Sequence, residues 1–169
     1  MERIDPNPQA DERNSLLQYL NYQRATILLK TADLTMEQLG RTHAPSELTL
    51  SGLLKHLWLV EDSWITERFL GLPELEPWNS APFDDDPDWE MHSALNDDPD
   101  WLRAQYADAC ARNDNLIAER SLDDLAAQKL RNGDDWTLRW VLLHLIEETA
   151  RHAGHADLLR EAIDGAVGE

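Results

Sequence analysis

The residues best suited to chemistry lie in His144-Leu145-Ile146-Glu147-Glu148-Thr149-Ala150-Arg151-His152-Ala153-Gly154-His155. On a helical wheel Val141, Leu145, Glu148, His152, Ala156 and Leu159 share one face, at spacings of three and four. The ends of that face are apolar, so the whole stripe is expected to point into a core, with Glu148 and His152 where core residues belong. Burying an ionised carboxylate without a partner is costly. A divalent metal ion would compensate, because carboxylate and imidazole are both ligands and i, i+4 side chains converge. A third ligand has to come from another helix. His56 is the candidate, as the only histidine on the second predicted helix and a neighbour of that helix's apolar stripe.

Other readings of the same residues stay open. A Glu–His pair can be an ordinary hydrogen-bonded pair on a helix, and a core histidine can be satisfied by backbone or hydroxyl groups. His144 and His155 are further nitrogen donors nearby. A one-helix site from His144, Glu148 and His152 would have its end residues two turns and roughly 80° apart, which one metal rarely spans. His43 and His92 fall in predicted loops and read as surface residues. Several chemistries fail on spacing: there is no His-Glu-x-x-His pair, no Glu-x-x-His for a di-iron bundle, no Gly-rich phosphate loop and no Gly-x-Ser-x-Gly elbow. Cys110 shares a helical stripe with Tyr106 and Ile117 and reads as core.

Four long helices are expected to position these groups. The first covers Ala10 to Ala32, with Leu16, Leu17, Leu20, Ile27 and Leu28 near the helical period and polar residues on the other face. A connection with one turn around Met36 to Leu39 follows. The second helix starts at Thr49 or Ser51 and runs to about Leu70, where Gly71 and Pro73 stop it. Trp78 to Asp97 holds Pro82 and Pro87 and the run Asp84, Asp85, Asp86; it reads as a solvated loop with that run exposed, though Trp78, Phe83 and Trp89 could fold it over a pocket. The third helix has Asp98 as N-cap and Pro99 at its first position, and runs to about Glu119. Ser121 to Leu130 is expected to form a short helix or turn. The fourth helix starts at Asp135 to Thr137 and continues to about Ile163, with Gly165 beyond it. No segment alternates as a strand would. The expectation is one all-α domain over residues 1–169, a four-helix bundle with a long loop between its second and third helices.

Composition narrows the partners. The chain has 169 residues, 42% hydrophobic and 28% charged, which suits a globular domain. Fifteen Lys and Arg against 33 Asp and Glu give a formal charge of -18, which repels phosphate backbones and anionic membrane surfaces. Nucleic-acid and membrane partners are therefore not expected. One cysteine excludes a disulfide framework within the chain and an all-cysteine zinc site. No signal-peptide pattern and no membrane-spanning apolar run is read, so a cytoplasmic location is expected.

The segments Leu53-Leu54-Lys55-His56-Leu57 and Trp140 to His155, with the long first helix, resemble the DinB-like superfamily. Within it the chain is similar to the DUF664 branch and to the N-terminal metal-binding domain of mycothiol-dependent maleylpyruvate isomerase. In that family one histidine of the second helix and an i, i+4 pair on the last helix hold the metal. Carried over residue by residue, the resemblance implies His56, Glu148 and His152 as ligands. Many members have histidine in the place of Glu148, and the isomerase-like branch has glutamate, as here. The implied cofactor is a divalent metal, Zn²⁺ first, with Ni, Fe and Mn also suited to this donor set. The implied function is a metal-dependent transferase that joins a low-molecular-weight thiol of the mycothiol type to a small electrophile; the alternative is a non-catalytic metal-binding or stress-associated bundle. By resemblance alone, a homodimer is expected.

Overall fold

A computed structural model describes residues 2–167. All regular elements among them are helical: α1 Glu12–Thr31, α2 Met36–Leu39, α3 Leu50–Glu61, α4 Trp89–Ser93, α5 Pro99–Ile117 and α6 Leu138–Asp164. The one strand-like feature in the described residues is an isolated antiparallel bridge between Leu125 and Thr137. None of these helices is long and apolar enough to cross a membrane.

The starts of the long helices follow from their caps. Asp11 accepts from the Asn14 amide at 2.9 Å, Thr49 from Gly52 at 3.1 Å, Asp98 from Trp101 at 2.9 Å and Thr137 from Trp140 at 3.4 Å. Each such cap contributes about 1 kcal/mol by satisfying an orphan donor of the first turn.

The second helix departs from the expected single α-helix. It is α-helical to Glu61 and then widens into a π-helix over Asp62–Phe69, where the Leu70 amide donates to Ile65 O at 3.0 Å. Buried side chains satisfy this stretch. Asp62 accepts from the indoles of Trp58 at 2.9 Å and Trp78 at 3.0 Å and pairs with Arg112, while Thr66 Oγ1 donates to Asn113 Oδ1 at 3.0 Å. The segment turns at Gly71, where φ is +67° and an added Cβ would stand 2.8 Å from Ala127 Cβ. Both facts require glycine.

The stretch expected as a solvated loop is largely structured. It holds 3₁₀ turns at Trp78–Ser80 and Ala94–Asn96, with α4 between them. Trp78 is 2% exposed and meets Trp58 edge-on with ring centroids 4.6 Å apart. Asp84 and Asp85 are exposed, but Asp86 is half-buried and accepts from His92 Nδ1 at 2.9 Å. His92 is exposed as expected, yet it lies on α4 rather than in a loop. Residues 121–130 form turns without a helix.

Among the long helices α1 lies along α6 and α3 along α5, and α3 also touches α6 and α1. Buried apolar residues group in two clusters. One contains Ile27, Leu53, Leu57, Tyr106, Cys110, Ala153 and Leu159; the other contains Leu20, Ile65, Ile117, Val141 and Leu145. On α1, α5 and α6 the change from one cluster to the other falls at buried or half-buried polar residues, and on α3 it falls between Trp58 and Val60, next to one. These are Arg24 on α1, Glu61 on α3, Asn113 on α5 and Glu148 with His152 on α6. A polar belt therefore crosses the helices between two apolar layers.

Candidate metal centre

His56, Glu148 and His152 meet at this belt. Each offers one ligand atom, and the three atoms lie within 4.8 Å of one another. Glu148 Oε1 is 3.1 Å from His152 Nε2 and 3.6 Å from His56 Nε2. The two imidazole rings stand edge to face, centroids 5.1 Å apart. The i, i+4 spacing on α6 aims Glu148 and His152 the same way, and the contact of α3 with α6 brings in His56.

Each histidine is oriented from behind. His56 Nδ1 lies 2.9 Å from Glu90 Oε1. In a neutral ring whose proton sits on Nδ1 and is donated to Glu90, the Nε2 lone pair is left on the side of Glu148. Glu90 is 5% exposed and comes from α4, a segment whose approach depends on α3. Lys55 Nζ donates to Asp97 at 2.6 Å and lies over the Trp89 ring, and a Cβ at Gly52 would crowd Met91 Sδ at 3.0 Å. His152 Nδ1 is 3.3 Å from His155 Nδ1. A proton on His152 Nε2 would be donated to Glu148, whereas a cation at Nε2 requires the proton on Nδ1, facing His155 as acceptor. The second oxygen of Glu148 is 3.3 Å from Arg151, which leaves Oε1 toward the histidines.

The electrostatics act differently on the three donors. Burial disfavours protonated His56, but the hydrogen bond and charge of Glu90, with the charge of Glu148, outweigh it and raise its pKa above the ordinary histidine value. Burial and the nearby His56 lower the pKa of His152, against the pull of Glu148, so its neutral form is favoured. Burial pushes Glu148 up, but His152, Arg151 and His56 together bring its pKa below the usual carboxylate range. Two imidazoles and one carboxylate, with a net charge of about −1 when both rings are neutral, suit a divalent cation.

The structure thus brings together the three residues singled out from sequence and leaves the other histidines outside the group. His144 packs against Trp64 and stacks on Trp140, with ring centroids 4.3 and 5.3 Å away. His155 supports His152 from behind, His43 is exposed, and His92 pairs with Asp86. Cys110 is buried, and burial pushes its thiol pKa well above normal, so it is not a reactive thiol. Sequence reading missed Glu90. Its only signal was the aromatic content of a segment able to fold over a pocket.

The model of the family described as mycothiol-S-transferase matches residues 15–165 of this chain. No curated protein matches it.

Proposed function

The chain belongs to the mycothiol-S-transferase family, within the DinB-like superfamily, and from that premise we propose that it is a divalent-metal-dependent transferase of a low-molecular-weight thiol. One observation carries the reading. Three donors from two helices converge, and among the described residues the group within ligand distance of one another has three members. A structural zinc site is closed by four protein ligands, whereas a catalytic one keeps a position for water or substrate. The three-donor set favours the transferase over a non-catalytic metal-binding bundle. The four long helices then act as a bundle whose polar belt carries the site. Glu148 in place of a third histidine is the feature shared with the metal domain of mycothiol-dependent maleylpyruvate isomerase.

A divalent cation bound here, Zn²⁺ in our assignment, would hold a thiol as its thiolate, the nucleophilic form, at neutral pH. The protein's own residues prepare that position. With both rings neutral, His56 and His152 would present Nε2 atoms to the cation, Glu148 would supply the anionic oxygen, and Glu90 and His155 would fix the two rings. The only cysteine of the chain is buried and inert, so the sulfur that reacts belongs to a bound thiol.

The test is conjugation of mycothiol to 1-chloro-2,4-dinitrobenzene by protein loaded with Zn²⁺. The expected result is thioether formation above the uncatalysed rate, lost in His56→Ala. Stoichiometric metal without conjugation of any low-molecular-weight thiol would instead favour the binding bundle.

A further inference from the structure

Most basic side chains of this acidic protein hold a carboxylate or a backbone carbonyl. Among the others, Arg68 and Arg131 lie together. Arg68 lies over the Trp64 ring, 4.6 Å from its centroid, and Arg131 has no side-chain partner among the described residues. Both line the same groove. Two cavities of about 700 and 580 Å³ share Trp64, Glu67, Arg68 and Arg131. At one end the groove is walled by Trp136, which is 4% exposed and whose indole N–H has no acceptor. At the other it reaches Glu90, the residue that holds His56. Trp64 also packs on His144, one turn before Glu148 on α6. Glu90 thus links the groove to His56, one of the three donors.

Its acidic residues, Glu67, Glu74 and Glu90, form no ion pair with the arginines, and Glu90 is held by His56. Glu67 Oε2 accepts from Ser63 at 3.4 Å and Oε1 is 3.5 Å from Gln128, and neither Glu67 nor Glu74 forms an ion pair with Arg68 or Arg131. Two guanidinium groups with no carboxylate within ion-pair distance, beside indole surfaces, are a receptor for a planar anion with an apolar body. The formal charge of -18 makes an accidental affinity for anions improbable over the rest of the surface.

We propose that this groove is the subsite for a carboxylate-bearing substrate of the His56–Glu148–His152 centre, with its carboxylate on Arg131 and Arg68 and its apolar body against Trp64 and Trp136. The inference rests on the transferase reading for the word substrate, and on the groove alone for binding. The carboxylate can belong to the electrophile or to the thiol.

The test uses the full chain loaded with Zn²⁺. The electrophile pair is 4-chloro-3-nitrobenzoate and its neutral analogue 4-chloro-3-nitrobenzamide; the thiol pair is N-acetylcysteine and N-acetylcysteine amide. Binding is measured by calorimetry with each compound alone. Conjugation is measured separately: the C–S bond forms at the chlorine-bearing carbon, chloride leaves with the C–Cl electrons, and the thiol proton passes to buffer. The charged member of one pair is expected to bind roughly tenfold tighter than its amide, as a charge-assisted contact gives. Arg131→Gln, on an exposed turn, should remove most of that preference, and Arg131→Gln with Arg68→Gln all of it. The pair that shows the preference identifies which substrate carries the charge. The proposal is overturned if neither pair is discriminated, or if discrimination survives the double variant. Discrimination in binding without conjugation would keep the groove and remove the transferase reading; conjugation without discrimination would do the reverse.

Discussion

Two stations on the polar belt solve the same problem in opposite ways. At one, Arg24 is buried and its guanidinium donates to both oxygens of Glu61 at 2.7 Å, and to Asp114 and Asn21 at 2.8 Å. The anions there have a cation supplied by the chain. At the other, His56, Glu148 and His152 bring three ligand atoms within 4.8 Å of one another with, among the described residues, no basic side chain between them, and Glu90 and His155 contact the two rings from behind. Burial differs in the same sense. Arg24 and Glu61 side chains are 1% and 2% exposed, whereas those of His56 and Glu148 are 23% and 16% exposed. A closed network that contains its own cation holds helices together. A partly open, donor-only one is built for a ligand from outside.

The largest effect tests the closed station. Arg24→Met leaves Glu61 and Asp114 without their cation, and loss of one partner of a buried pair costs about 3–5 kcal/mol. Urea unfolding should show that loss, with metal stoichiometry unchanged in the folded protein. Adding Glu61→Leu should recover part of it. A cost below about 1 kcal/mol would erase the distinction between the stations.

His56→Ala breaks the open one. Metal analysis should show occupancy collapse, since the only ligand tying α3 to α6 is gone. The apo protein should still fold, losing about 1–3 kcal/mol because Glu90 is left buried without its donor. Glu148→Gln, which keeps the shape but removes the anion, should also weaken divalent binding sharply. Retention of stoichiometric metal in His56→Ala together with its loss in His144→Ala would move the site onto α6 alone.

Glu90→Gln sharpens the comparison, because it alters support without touching a ligand. Changes behind a metal-bound histidine typically cost 10–100-fold in affinity. The pH dependence should move as well. A proton competes with the metal for His56, so affinity falls as pH drops through the raised pKa of that ring. Glu90 stabilises the protonated ring; without it the pKa falls, and the loss of binding on acidification shifts to lower pH. A metal titration followed across pH checks the direction, and an edge that stays in place would remove Glu90 from the centre.

His144→Ala should matter least. It removes ring contacts to Trp64 and Trp140, worth about 1 kcal/mol in thermal unfolding, and leaves metal affinity as it was.

Much of the centre was legible locally. A period of 3.6 residues places Glu148 and His152 on one face whatever surrounds them, and apolar residues at both ends of that face mark it as inward. The same periodicity, with the cap residues Thr49, Asp98 and Thr137, marks the long helices. Arg24 was not legible: an arginine on the polar side of an amphipathic pattern reads as solvated, and only Glu61, a residue of another helix, makes its burial favourable. Nor was the π-helical continuation, since its satisfaction depends on Trp78, Arg112 and Asn113 arriving from elsewhere. Glu90 meets His56 across 34 residues of chain, through a proline-broken segment with no periodicity to reveal its face. Sequence alone thus determined what repeats along one helix; tertiary structure decided which charges are buried, which are paired and which remain free to bind, because those depend on contacts between segments distant in the chain.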